Sequence, residues 1–247
     1  MSTPLAFALC IITAGAIAQG QPRATLDSKV TEVWSNKPKK ITTGATTGEA
    51  PSDAIILFDG KDLSKWTTMT GAAAKWEVKD GVVTISKNGG DIKTAQTFGD
   101  IQLHIEWRTP AGETGTGQER GNSGVYIQER YEVQVLDSYE NETYYNGQAG
   151  AVYKQSVPLV NASKKPGEWQ TYDIVFTAPR FNENGGLSTP GYVTVLHNGV
   201  LVQNHFQIQG QSENQGMAVY TAHGKASLKL QDHQHPVSYR NIWIREL

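Results

Sequence analysis

The sequence predicts an all-β protein folded as a jelly-roll β-sandwich, on three observations. From residue 54 onward, short runs of β-branched and aromatic residues recur, several in strict period-2 alternation with polar ones. Gly, Asn and Pro punctuate the runs at short intervals. No window sustains the 3.6-residue apolar period of a long helix, so the core has to be closed by sheets. Roughly a dozen short strands with frequent turns close it most simply as two packed sheets.

Ahead of the sheets, residues 1–20 read MSTPLAFALCIITAGAIAQG. An apolar run from Leu5 to Ile17 ends in Ala16, Ile17 and Ala18, the small-x-small pattern of a cleavage site, and is too short to span a bilayer. Residues 1–18 are therefore expected to be a signal peptide, the protein to be exported to the periplasm or beyond, and no membrane span to be present. Cys10, the only cysteine, lies inside this run, so the mature chain is expected to use neither disulfides nor thiolate chemistry. Residues 19–52, rich in Thr, Lys, Pro and Gly, are expected to form a flexible linker or N-terminal arm, and 53–247 the folded domain. The formal net charge is −2, with one compact basic group at 37–40, which argues against nucleic acid as a partner.

The strands follow in order. Residues 55–58 (IILF) precede the turn pair Asp59 and Gly60. Residues 76–85 read as two strands joined by a hairpin at Asp80 and Gly81. Residues 101–108 alternate strictly, with Ile101, Leu103, Ile105 and Trp107 on one face and Gln102, His104, Glu106 and Arg108 on the other. Residues 131–137 alternate too, placing Val133 and Val135 inward and Glu132 and Gln134 outward. Residues 192–197 turn at Asn198 and Gly199, a strong type I′ pair, into 200–202. Residues 228–233 and 240–245 supply two more strands.

An ordinary solvated sheet face carries Lys, Thr and Ser. The outward positions here are His104, Glu106, Arg108, Glu132, Gln134, Gln231 and His233, a set suited to hydrogen-bonding polyols and moving protons. Glu106 and Glu132 are expected to share that polar face, as paired groups for general acid–base chemistry must. Gly121 and Gly124 flank Asn122 and Ser123, permitting a tight bend with close backbone approach to a ligand. The sequence demands no cofactor. Asp232, His233 and His235, joined by His104, offer donors for a divalent cation, although their spacing matches no metal motif. There is no Gly-x-Ser-x-Gly elbow and no phosphate loop.

A family resemblance rests on several stretches in fixed order: AIILFDGKDLSKW at 54–66, WEVKDG at 76–81, EWR at 106–108, GNSG at 121–124 with YEVQ at 131–134, QDH at 231–233 and YRNI at 239–242. Together they make the chain resemble the 3-keto-disaccharide hydrolase domain family, over about residues 53–247. One departure is Gln170, after Glu168 and Trp169, where the family leads one to expect Asn. The resemblance implies a sandwich of the concanavalin A-like lectin and laminarinase type. It also implies action on glycosides whose sugar carries a ketone at C3. Such a ketone acidifies the C2 hydrogen, so a base can remove it, the enolate can expel the C1 substituent, and water can add afterwards.

That chemistry needs a base near C2, a stabiliser at the C3 oxygen and an acid at the departing oxygen. With the resemblance in hand, Glu132, Glu106 and His233 are the expected catalytic residues, Glu132 being the preferred base. Gln134, Asn122, Arg108, Gln231, Tyr126 and His104 are expected to bind the carbohydrate, with Arg108 or His233 steadying the enolate oxygen. Two other classes predict different sites. A non-catalytic lectin-like module needs sugar-stacking aromatics, for which Tyr126 is the clear candidate. An interaction domain leaves Glu106, Glu132 and His233 scattered.

Overall fold

The computed structural model describes residues 27–247, so the expected signal segment 1–18, Cys10 included, lies outside the described residues. The chain divides into two compact units, 1–40 and 41–247. In the first, the regular element among the described residues is a 3-10 turn, Ser28–Thr31, capped by the Asp27 carboxylate, which accepts from the Lys29 amide at 3.1 Å. No helix among the described residues is long and apolar enough to cross a membrane.

The second unit begins at Ile41, ahead of the domain start expected at Asp53. Residues 41–52 are a docked strap within this unit. The Gly48 carbonyl accepts from Asn241 Nδ2 at 2.9 Å and Trp243 Nε1 at 2.8 Å, and the Ser52 amide bonds the Thr42 carbonyl at 2.9 Å. Composition conceals this because the anchors on the strap are backbone groups, which any residue supplies.

Fifteen strands follow: β1 (Ile55–Phe58), β2 (Trp66–Thr68), β3 (Glu77–Lys79), β4 (Val82–Thr84), β5 (Ile92–Phe98), β6 (Ile101–Arg108), β7 (Ser123–Ile127), β8 (Tyr131–Val135), β9 (Gln170–Thr177), β10 (Arg180–Phe181), β11 (Leu187–Thr189), β12 (Tyr192–His197), β13 (Val200–Gln207), β14 (Ala226–Leu230) and β15 (Ser238–Glu246). An eight-stranded sheet runs β13-β12-β9-β6-β15-β4-β3, with β1 added on β15; a five-stranded sheet runs β2-β5-β14-β7-β8. The strand pairings are antiparallel.

The two sheets pack face to face, as the sequence predicts. The inward positions of β6 set the pattern: Ile101, Leu103, Ile105 and Trp107 are at most 1 % exposed and meet Val125, Val133, Val135, Leu228 and Leu230 from the smaller sheet in one core. Two hydrogen bonds tie polar groups together within that core. The Tyr172 hydroxyl donates to the Gln134 carbonyl at 2.7 Å, and Ser123 and Tyr239 share a hydrogen bond of 2.7 Å. Gln170, at the position of the family departure, is buried and fully used: its Oε1 accepts from Asn198 Nδ2 at 2.7 Å and lies 3.0 Å from His197 Nε2.

Both expected hairpins have positive φ at both turn positions, 51° and 78° at Asp80 and Gly81, and 52° and 77° at Asn198 and Gly199. The 119–137 region differs in detail from its expectation. Gly121 does take a positive φ of 56°, but Gly124 lies inside β7, so the bend does not extend across the whole GNSG run.

Candidate active site

The outer face of the five-stranded sheet is ordered by its register. Lys229 on β14 stands opposite Tyr126 on β7, and Tyr126 stands opposite Glu132 on β8. One row over, Gly124 faces Gln134. A Cβ at position 124 would lie 2.5 Å from Glu132 Oε1 and 2.7 Å from Tyr126 Cε2. The missing side chain therefore lets the carboxylate and the ring lean together over the backbone.

Alternation predicts that Glu132 and Gln134 point away from the core, and they do, yet they are 3 % and 1 % exposed. The chain after β8 folds back over them. The Tyr153 amide donates to the Glu132 carbonyl at 3.1 Å and the Gln134 amide to the Ala151 carbonyl at 3.0 Å, which also covers the edge of β8. From the 212–214 loop, Ser212 Oγ accepts from the Glu132 amide at 3.0 Å.

These elements enclose a pocket of about 360 Å³. Six sequence-predicted residues line it: Asn122, Tyr126, Glu132, Gln134, Gln231 and His233. Six others carry no signal in the sequence: Gln118, Glu119, Tyr144, Tyr153, Ser212 and Asn214. All six sit off the main strands, where side-chain alternation says nothing; the turn-rich composition around them marks a loop but not which pocket it covers.

An amide network fixes the pocket wall. Gln134 Nε2 donates to Gln118 Oε1 at 3.1 Å and to Asn122 Oδ1 at 3.3 Å, while Gln118 Nε2 donates to Thr143 Oγ1 and the Gly147 carbonyl. With both N–H groups occupied, Gln134 keeps a buried Oε1 that has no partner among the described residues. Such an acceptor costs free energy unless a ligand hydroxyl or water reaches it. On the opposite wall the Tyr144 and Tyr153 hydroxyls are 2.7 Å apart, and Lys154 Nζ lies over both rings.

Glu132 is the electrostatic centre. Burial pushes its carboxyl up to about 8, against the opposing effects of the Tyr126 hydrogen bond and the Lys229 charge. Burial also raises Tyr126, reinforced by the negative charge of Glu132. The Tyr126 hydroxyl further accepts from Gln231 Nε2 at 3.3 Å. A carboxylate with this raised basicity, beside hydroxyl and amide groups, is equipped to take a proton from carbon or to hold one for donation.

The remaining three predicted residues lie elsewhere, which corrects the expectation of one shared polar face. Glu106, His104 and Arg108 are on β6 of the eight-stranded sheet, so their outward side chains occupy the opposite outer face of the sandwich. There Glu106 accepts from Arg240 Nε at 2.6 Å and Asn241 Nδ2 at 2.9 Å. His104 Nδ1 is 2.7 Å from Asp173 Oδ1, its Nε2 is 3.7 Å from Glu106 Oε1, and its ring stacks on Trp243. Arg108 lies over Trp169, as does Arg240. Parity along one strand separates inward from outward residues correctly; which outer face each strand contributes to depends on sheet membership, which parity does not carry.

The cation donors suggested by composition do not converge. His104 is on the other face, and the Asp232 carboxylate takes the Gly90 and Gln234 amides at 2.8 Å each. His233 and His235 stack in parallel, centroids 5.7 Å apart. Among the described residues no group of three His, Cys, Asp or Glu side chains is arranged to hold a metal ion.

Comparison with known proteins shows the family and the fold. Residues 53–245 match the family model described as the 3-keto-alpha-glucoside-1,2-lyase-like domain, and the chain belongs to that family. It is 27% identical over 160 residues to a Bacteroides thetaiotaomicron protein named 3-keto-disaccharide hydrolase, covering 51% of this chain and 54% of that one. The chain thus matches about half the length of this curated relative. A crystal structure from Parabacteroides distasonis, its protein provisionally described as a glycosyl hydrolase, is 51% identical with a TM-score of 0.87, covering 92% of this chain and 100% of that one. A second P. distasonis structure with the same description, 23% identical with a TM-score of 0.60 over 84% of this chain and 100% of that one, shares the fold.

Proposed function

We propose that this member of the 3-keto-alpha-glucoside-1,2-lyase-like domain family is a carbohydrate-active enzyme that cleaves the glycosidic bond of 3-keto-glycosides. The observation that carries the reading is Glu132, a nearly inaccessible carboxyl raised to about 8 on the floor of a polar pocket. A base of ordinary carboxylate strength is poorly matched to a C–H bond, and burial narrows that mismatch.

In the proposed reaction, ionised Glu132 takes the proton from C2. The C–H electron pair forms the C2–C3 double bond of an enolate whose charge rests on the C3 oxygen. Collapse of the enolate re-forms the C3 ketone, makes the C1–C2 double bond and breaks the C1–O bond. The departing oxygen takes a proton from an acid at the rim, for which His233 is the candidate. Water then adds across C1–C2, its oxygen to C1, giving net hydrolysis.

Other pocket groups suit the remaining roles. Gln134 Oε1 is left to accept a sugar hydroxyl, and Gln231 keeps one N–H beyond its bond to Tyr126 for the C3 oxygen. Arg108 is not given the enolate role, since it lies on the other outer face. The apolar run at 5–17 supports action outside the cytoplasm.

The experiment is to incubate the purified protein with a 3-keto disaccharide and its unoxidised counterpart, with and without chelator, and follow sugar release. Release from the keto substrate alone is expected. Tight binding of either sugar without release would favour the lectin-like alternative, for which Tyr144 and Tyr153 add aromatic surface beside Tyr126.

A further inference from the structure

Beneath the proposed base is a charge that the reaction does not use directly. Lys229 is cross-strand from Tyr126, and its Nζ lies 3.7 Å from the centre of the Tyr126 ring. The same Nζ bonds Asp91 Oδ2 at 2.9 Å, and only 14 % of the side chain is exposed. On its other side Lys229 is directly opposite Lys93 on β5, which is itself paired with Glu129 at 3.3 Å. Two lysines directly opposite each other are unfavourable in a sheet, and Asp91 and the Tyr126 ring offset that repulsion at 229. Position 229 is also where a cation contacts the face of the ring that stands cross-strand from Glu132 and beside its carboxylate over Gly124.

We propose that Lys229 is a positioning residue for Glu132: anchored on Asp91, it holds the Tyr126 ring beside the carboxylate, and its charge favours the ionised form that acts as base. The inference rests on the reading of Glu132 as the working carboxylate. Other groups facing Glu132 do not replace Lys229. From β7 comes Tyr126, from the segment before β5 Asp91, from the covering segment Tyr144, Tyr153 and Lys154, and from the rim His233 and Glu119. Lys154 is occupied with Asn214 and the two tyrosine rings on the pocket's outer wall. Removing the Lys229 charge leaves Asp91 uncompensated beside Glu132, and both changes push the carboxyl towards its protonated form.

The test is a substrate-free ¹³C NMR titration of the Glu132 side-chain carboxyl in wild type, Lys229→Met and Lys229→Arg, with kcat and KM measured on a 3-keto disaccharide. Lys229→Met is expected to raise the titration midpoint by about one pH unit, the lower end for a nearby charge. At pH 7 kcat should fall about tenfold with KM little changed, and alkaline pH should restore it. Lys229→Arg should keep the midpoint within a few tenths of wild type. Should Lys229→Met not fold, Lys229→Gln, which can still hydrogen-bond Asp91, carries the same expectation.

An unmoved midpoint in the folded variant, whatever its thermal stability, overturns the proposal. A shifted midpoint in a protein that cleaves no keto-sugar upholds the role of Lys229 and counts against the proposed reaction. Cleavage with an unmoved midpoint does the reverse.

Discussion

On one outer face of the sandwich Glu106 lies among Arg240, Asn241 and His104; on the other Glu132 lies among Tyr126, Gln134 and Lys229. Both glutamates are outward residues of alternating strands. Their surroundings drive them in opposite directions. The His104 interaction, opposed by burial and aided by Asn241 and Arg240, brings Glu106 down to about 2. Burial alone would lower His104, but the hydrogen bond to Asp173 and the nearby Glu106 carboxylate raise it to about 9. That face keeps its charges by pairing them. Glu132, in contrast, is raised to about 8, and Gln134 beside it keeps an unpartnered acceptor. One face is an ion-pair network that holds the strap and strands together, although His104 Nε2 is buried there without a hydrogen-bond partner among the described residues. The other retains unspent interactions, as a site built for a ligand does.

The comparison breaks most sharply with paired substitutions. Glu132→Gln should cut turnover of a 3-keto disaccharide by at least about 10²-fold, in line with loss of a general base. Glu106→Gln should leave turnover per folded molecule within about threefold. Equal losses in the two variants, measured as kcat on protein of verified fold, would erase the distinction between the faces.

Gly124→Ala sharpens the geometry. The strand backbone accepts alanine, but the new Cβ would press on Glu132 Oε1, and a displaced carboxylate should cost about tenfold in kcat. Circular dichroism and a thermal melt would show whether the fold is retained.

Stability should invert the ranking. Glu106→Gln weakens the bonds to Arg240 and His104 and should lower unfolding free energy by about 2–3 kcal/mol in urea titrations at pH 7. Because Glu106 titrates low in the folded state, its contribution is present above about 4.5 and is lost as pH falls towards about 2. Glu132 has the opposite sign. The folded protein retains a proton that the unfolded chain releases above about 4.5, so wild-type stability should decline from there to about pH 8 through this group. Glu132→Gln should therefore be more stable than wild type at pH 8, with the gap shrinking by about 1 kcal/mol per pH unit and closing near pH 4. A gap independent of pH would mean that Glu132 is not raised.

Much of this is legible in the sequence. The inward residues of β6, the turn pairs Asp80–Gly81 and Asn198–Gly199, and the strands at 55–58 and 240–245 follow from period-2 alternation and turn chemistry. β5 escapes such a reading because its IKTAQTF sequence is largely polar, and β7 because Ser123 and Gly124 carry the signature of a turn. Six of nine candidate site residues converge on one pocket, since they come from β7, β8 and the end of β14, which are neighbours in one sheet. Glu106, His104 and Arg108 do not, because alternation tells which side of a strand a residue takes and nothing of the sheet to which that strand belongs. Burial of Glu132 is equally hidden: it is imposed by the covering segment around Tyr153 and by Ser212, far along the chain.

The most direct test of Glu132 as a buried base is the pH dependence of kcat/KM for cleavage of a 3-keto disaccharide between about pH 5 and 10. With C2 proton abstraction limiting the rate, the predicted profile rises with pH and bends at about 8, and the bend is the same in Glu106→Gln. A profile already level above the ordinary carboxylate range, with no bend near 8, would contradict it.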